Sequence, residues 1–473
     1  MLTRSQFLKV LGASVAGALI LPGKIKAIVL QEPFTKRLFG ENFTWGVATG
    51  AYQIEGAWNA DGKGLSVWDD FSHKKGKIKD HTSGDVACDF YHKYPEDLRL
   101  LQSLNFDAFR FSLSWPRILP NGTGTINRKG TDYYNRVIDT SLELGIKPWV
   151  SLYHWDLPLE LEKKGGWTNR NVVDWFGEYT DVCTRNFGDR VKNWIVLNEP
   201  LTFTSLGYFV GMHAPGHRGL DKFLSAVHHA ALCQSAGGSI IRQNVVDARV
   251  GTTFSCSYID PKKSKPRFYR ASKRLDAMLN RLFIEPTFGM GYPYDALPFL
   301  KRIEKFIQPG DFEKLKFDFD FIGLQNYFRI IGKPSLIPFV WANRDNPNDR
   351  EALLTDMGWE VYPEGIYKII KRFAEYPIKE FVISENGAAF TDKLENGRIH
   401  DSFRTAYFQQ YLEKVLKAKN DGINITGYFA WTFVDNFEWA EGNQARFGIV
   451  YNDFSTQNRV IKDSGYWFQS FLE

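Results

Sequence analysis

"NWIVLNEP", residues 193–200, and "VISENG", residues 382–387, decide how this chain reads. Each is an apolar run that ends on a carboxylate, Glu199 in the first and Glu385 in the second. Ionising a carboxyl at the end of a buried strand is costly unless something rewards it. Working outward, apolar runs of strand length recur at residues 43–48, 108–112, 147–152, 193–197, 249–255, 319–324, 380–384 and 425–431. Amphipathic helical patterns lie between most of them, as at 133–144, 171–187 and 407–420, the last closed by Asp421-Gly422. Strand–helix alternation predicts a parallel sheet. Eight such units without a linker or an internal repeat predict one α/β domain, a single (β/α)8 TIM barrel. Residues 257–310 and 333–351 are longer than ordinary connections and read as elaborated βα loops.

Composition narrows the partners. The chain has 473 residues, 44% apolar and 24% charged, in the range of globular proteins. Aromatics reach 15%, which fits stacking on the flat faces of sugar rings and equally fits a large packed core. Most of the formal charge of +5 comes from Arg4, Lys9, Lys24 and Lys26. The remaining body is near neutral, which gives no electrostatic case for nucleic acid. Residues 1–27 read as an export signal, leaving 28–473 as the barrel domain. Arg4 and Lys9 precede the apolar stretch 10–21, and "IKA", residues 25–27, ends on a small residue. "TRSQFLK", residues 3–9, resembles a twin-arginine export motif with Thr3 at the first arginine position; a Sec signal is the other route. The expected location is periplasmic or secreted, with no stable membrane insertion once the signal is removed. The four cysteines are scattered without CxxC spacing, which argues against a zinc site or a disulfide scaffold. His228-His229 and "HAPGH", residues 213–217, offer no metal-ligand spacing, so neither metal nor cofactor is expected.

In a barrel of this kind the active site sits at the C-terminal ends of the strands. Polar and aromatic residues gather there at seven of the eight expected ends. They are Gln53 and Glu55; Arg110 and Trp115; His154 and Trp155; Asn198 and Glu199; Gln325 and Tyr327; Glu385 and Asn386; and Trp431, Glu438 and Trp439. Two carboxyls flanking one C–O bond are the requirement of glycoside cleavage, one donating a proton and the other attacking carbon or activating water. They must differ in protonation, so their surroundings must differ. Arg110 is the natural cation to keep one ionised, Glu385 if it faces that residue. Glu199 follows a strongly apolar strand that favours the protonated form. These local arguments leave the two roles exchangeable.

Ten segments in chain order resemble glycoside hydrolase family 1, the β-glucosidase family. They are "FTWGVATGAYQIEGAWNADGKGLSVWDDF", "FRFSLSWPRILPNGTG", "WVSLYHWDLP", "LNEP", "GMHAPG", "FIGLQNYF", "MGWEVYPEGI", "ISENG", "GYFAWTFVDNFEWAEG" and "RFGIVYNDF". The resemblance covers residues 38–470. It implies a retaining β-glycosidase, most simply a β-glucosidase acting on terminal β-D-glucosyl residues and open to galactosyl or fucosyl ones. Glu199 would be the acid/base and Glu385 the nucleophile, with Tyr327 and Arg110 holding Glu385 and Asn198 contacting the sugar 2-OH. Gln53, His154, Asn198, Glu438 and Trp439 match glycone-binding positions, with Trp431 as a flat face beneath the ring. Trp155, Tyr327, Trp359 and Phe447, in the same motifs, complete the substrate-binding set. Relatives that act on 6-phosphorylated sugars carry a small residue at the Glu438 position, so the resemblance implies an unphosphorylated substrate. Two departures stand out. Gln325 replaces the Asn usual in the sixth strand, and Asn443-Gln444-Ala445 replaces a segment that often carries Tyr and Lys near the aglycone entrance. Rival readings are a sugar-binding protein without catalysis, which would usually have lost Glu199 or Glu385, and a transglycosylase sharing the covalent intermediate. A phosphate-binding barrel enzyme would need a glycine-rich loop that "SENGAAF" lacks.

Overall fold

The computed structural model describes residues 34–473. The expected export signal at 1–27 lies outside the described residues. Eight strands close a barrel in which every neighbouring pair is parallel, the first pairing with both the second and the eighth. They are Thr44–Ala48, Ala108–Ser112, Lys147–Tyr153, Asn193–Asn198, Arg249–Ser255, Phe321–Gln325, Phe381–Asn386 and Ile425–Trp431. All eight expected strands are present, three with the expected bounds and five with ends shifted by one or two residues. The seventh runs on to Asn386 because Glu385 still pairs with Gln325 after a register shift, so that carboxylate belongs to the sheet and not to the loop beyond it.

Aromatic side chains fill the barrel interior. Trp149 packs edge-on against Phe321 at 5.2 Å and Phe429 at 5.0 Å. Gly46 and Gly251 make room for them, since a Cβ at either position would come within 2.3 Å of Phe429 or Phe321. The amphipathic helices wrap outside, among them Arg128–Glu143, Val172–Phe187 and Ser402–Asn420. Helix Glu364–Phe373 places Glu364 in its first turn and Lys371 and Arg372 in its last, which suits the helix dipole.

The two long stretches read as elaborated loops carry strands and helices of their own. Strands Ile259–Pro261, Ile330–Pro334 and Ala342–Arg344 form a separate small sheet beyond the C-terminal ends of the fifth and sixth barrel strands. Helix Pro266–Asp276 lies across it, Ser272 against Gly332. No helix among the described residues is long and apolar enough to cross a membrane.

Candidate active site

The fourth and seventh strands deliver their carboxylates to the same end of the barrel, and one guanidinium ties the two ends together. Arg110, on the second strand and fully buried, donates through Nη1 to Glu385 Oε1 and through Nη2 to Asn198 Oδ1. Glu385 accepts two more hydrogen bonds, from Tyr327 Oη at 2.6 Å and from Gln325 Nε2 at 2.7 Å. The same Gln325 amide reaches Asn198 Oδ1 at 2.7 Å. The extra methylene that separates Gln325 from the usual Asn therefore serves to bridge the two strand ends. Thr253 Oγ1 also donates to Asn198 Oδ1, at 2.9 Å.

Glu199 has different surroundings. It is buried and follows the fourth strand in a left-handed backbone conformation, φ 47°, rare for a residue with a Cβ. Pro200 then opens a short helix, Pro200–Thr204, so the chain turns sharply at the carboxyl. Burial first, and the Glu385 charge second, push Glu199 up to about 8. Glu438 is pushed up to about 8 in the same way, by burial and then by Glu385 and Glu199. Glu385 is itself raised, because burial outweighs the opposing effects of Arg110 and Tyr327. Arg110 does face Glu385, as the sequence reading required of the cation, but it does not by itself offset the burial. What separates the two carboxyls is the donor count. Three donors, one of them a cation, favour the Glu385 anion, whereas Glu199 gains only weaker help from the Thr202 and Ser255 hydroxyls.

The remaining sequence candidates join this network or pack beside it. Asn198 Nδ2 donates to His154 Nε2 at 3.0 Å, which puts the imidazole proton on Nδ1. Burial and the nearby Arg110 hold His154 well below its usual range, so the ring is neutral. Gln53 Nε2 reaches Glu438 Oε2 and Asn436 Oδ1, both at 3.4 Å. His154 Nδ1, Gln53 Oε1 and Gln325 Oε1 are buried and have no protein partner. One donor and two acceptors left open beside carboxylates are the complement of a polyhydroxylated ring. Trp155 and Trp439 pack at 4.4 Å, His154 lies over Trp431 at 6.0 Å, and Trp155 Nε1 donates to the Asn198 carbonyl at 3.0 Å. Tyr327, Trp359 and Phe447 form a second aromatic group, with centroids 5.4 to 6.1 Å apart.

Three residues of the expected ring do not face the site. Glu55 is closed off by Arg117 Nε at 2.9 Å and the Tyr134 hydroxyl. Trp115 stacks on Tyr179 at 4.6 Å and donates to the Gly122 carbonyl. Asn386 bonds the Asn326 carbonyl and the Tyr407 and Tyr428 hydroxyls behind the strand. In exchange the fifth strand, to which the sequence reading gave no site residue, contributes Thr253 and Ser255. The polar run "TTFS" at its end was the available signal. Asn436 was also missed; it sits in the loop that carries Glu438.

The sequence profile of glycosyl hydrolase family 1 matches residues 35–473. The chain belongs to that family. Its relatives include beta-glucosidase A of Thermotoga maritima, 45% identical over 443 residues, spanning 92% of this chain and 98% of the relative. Beta-glucosidase A of Acetivibrio thermocellus is 41% identical over 448 residues, 93% and 99% of the two chains. Among solved structures, the T. maritima family 1 β-glucosidase superposes with a TM-score of 0.88 at 44% identity, covering 91% of this chain and 97% of that one. The T. maritima enzyme in complex with glucoimidazole gives the same TM-score at 45% identity.

Proposed function

We propose that this protein is a retaining β-glucosidase that hydrolyses terminal, non-reducing, unphosphorylated β-D-glucosyl residues by double displacement. The observation that carries the reading is the unequal carboxyl pair. Three donors, one of them the Arg110 guanidinium, favour the Glu385 anion against its burial, and burial pushes Glu199 up to about 8, which keeps it protonated near neutral pH. In this reading Glu385 attacks the anomeric carbon while Glu199 gives its proton to the departing oxygen. Glu199, now a carboxylate, takes a proton from water as that water attacks the glycosyl-enzyme and releases Glu385.

Asn198 holds the 2-hydroxyl, and Gln53 and His154 meet the remaining hydroxyls with the polar atoms the protein leaves open, together with the Glu438 carboxyl. Trp431, Trp439 and Trp155 cover the ring, and Trp359 and Phe447 stand beside Tyr327 toward the leaving group. A phosphate on C6 would meet the Glu438 carboxyl, which supports the unphosphorylated substrate. The relatives' names, beta-glucosidase and 1,4-beta-D-glucan glucohydrolase, support the glucosyl preference. We also infer export directed by residues 1–27, with 28–473 as the mature barrel, supported by the basic and apolar pattern of that segment.

The test is stereochemical. The purified protein is mixed with p-nitrophenyl β-D-glucoside and the first-formed glucose is read by NMR. The β anomer is the expected product. The α anomer would mean direct displacement by water and would remove Glu385 from its nucleophilic role.

A further inference from the structure

The small sheet beyond the barrel carries two features that the glycosidase chemistry does not use. The first is a basic segment, "PKKSKPRFYRASKR", residues 261–274, with Lys262, Lys263, Lys265, Arg267, Arg270, Lys273 and Arg274 and no acid. The whole chain carries only +5, so outside this segment the balance turns negative. Lys262 pairs with Asp345, whereas Lys263, Lys265, Arg267, Arg270, Lys273 and Arg274 form no ion pair among the described residues. Phe268, Ala271 and Ser272 turn helix Pro266–Asp276 inward, which leaves Arg267, Arg270 and Lys273 on its outer side.

The second feature is the hairpin tip "LIPFVW", residues 336–341, between strands Ile330–Pro334 and Ala342–Arg344. Leu336 is 87% exposed, Trp341 50%, Ile337 44% and Phe339 42%. Phe339 and Trp341 both adopt positive φ, 70° and 52°, a conformation disfavoured for aromatic residues. So much contiguous apolar exposure, held out on a strained turn, marks an interaction site.

Register brings the two features together. Ile259–Pro261 pairs in parallel with Ile330–Gly332, and Lys262 N–H continues the ladder to the Gly332 carbonyl at 2.9 Å. Both strands therefore leave the sheet at one end. Lys263 and Lys265 emerge there beside the start of the tip, and Lys262 and Lys333 share Asp345 Oδ1 at 2.8 and 3.1 Å. This end projects from the barrel face that carries the active site.

We propose that this surface docks on an anionic phospholipid bilayer, with the tip 336–341 entering the interface and the basic face of helix Pro266–Asp276 lying on the headgroups. Lys and Arg beside exposed Trp, Phe and aliphatic side chains are the combination that peripheral bilayer binding uses. An acidic polymer would satisfy the cations and leave Leu336 and Ile337 without a role. A second copy docked about a twofold axis would set one basic segment against the other and be opposed by their charge. The binding is peripheral and needs no membrane-crossing helix.

The test is co-sedimentation of the full chain with vesicles of phosphatidylcholine alone and with about one-third phosphatidylglycerol. Binding is expected only to the anionic vesicles and is expected to weaken as salt rises. Arg267→Glu/Arg270→Glu and, separately, Leu336→Ser/Phe339→Ser/Trp341→Ser should each weaken it roughly tenfold or more. Hydrolysis of a water-soluble aryl glucoside should be unchanged in both, which separates this inference from the proposed function. No vesicle binding by the parent chain overturns the proposal. So does binding that both variants keep, which would place it in residues 1–33 or elsewhere. A concentration-dependent dimer that the tip variant abolishes, without vesicle binding, would assign the tip to self-association instead.

Discussion

Arg110 and Arg117 lie seven residues apart, are equally buried, and each holds one glutamate. Their partners' situations are opposite. Glu55 is closed: Arg117 and Tyr134 take its oxygens, Arg117 also donates to the Gly56 carbonyl, and its guanidinium lies 4.4 Å from Tyr91 and 5.5 Å from Tyr133. Glu385 is in an open situation in another sense: its oxygens take three donors, yet two further carboxyls, Glu199 and Glu438, stand close enough to feel its charge. The closed pair settles its charges and holds the chain after the first strand. The open pair keeps unsettled carboxyls together, an arrangement that costs stability and that only chemistry on a ligand explains.

The sharpest way to break the comparison is to remove each glutamate. Glu385→Ala should lower kcat on aryl glucosides by roughly 10⁴-fold or more, since it deletes the attacking group. Added azide or formate should partly restore turnover and give a product of inverted configuration. Restoration with retained configuration would mean that another residue of this chain performs the attack. Glu55→Ala should act on the fold instead. It strands the Arg117 guanidinium without its carboxylate, a loss of about 3–5 kcal/mol for a buried pair. The denaturant midpoint reads that loss, and kcat of the folded fraction should stay near that of the parent. A collapse of kcat with unchanged stability would move Glu55 into the active site.

The same pair of arginines marks where sequence reading works and where it stops. All eight strands were legible, because apolar runs of strand length between helical patterns are a strong periodic signal. The ring of polar residues at strand ends was largely legible too, since barrel geometry sends every strand terminus to one face. Glu55, Trp115 and Asn386 looked like members of that ring and are not. After the first strand the short helix Ala51–Ile54 redirects the chain, so Gln53 faces the site while Glu55, two residues on, points at Arg117. A pattern of residue types locates the end of a strand and carries no information on which way the next turn aims a side chain. Thr253 was hidden for the complementary reason. A threonine in a strand is an ordinary β-former, and only its bond to Asn198 Oδ1 gives it a place beside the carboxyls. Gln325 was noticed as a departure, but its bridge between Asn198 and Glu385 depends on the relative height of three strands, which no single stretch of sequence records.

The smallest effect discriminates best between an open and a closed carboxyl. Glu199 stands at about 8 in the folded chain against an ordinary value of 4.5. Between those two values the folded chain holds a proton that the unfolded chain has released. Stability from this group is therefore fully present below about 4.5 and falls as pH rises toward 8. Glu199→Gln keeps the shape, cannot ionise, and removes that dependence. The variant should match the parent in thermal unfolding near pH 4, exceed it increasingly up to pH 8, and keep a constant lead above that, worth a few kcal/mol at most. Glu438→Gln should behave alike, since it also stands at about 8. The double variant should gain less than the sum, because part of the upward push on Glu438 comes from Glu199 itself. Glu55→Gln, in the closed pair, should be destabilised instead, because it removes the ion pair to Arg117. If Glu199→Gln were instead less stable than the parent at pH 8, Glu199 would be an anion stabilised by its partners, and the proton for the leaving oxygen would have to come from another group.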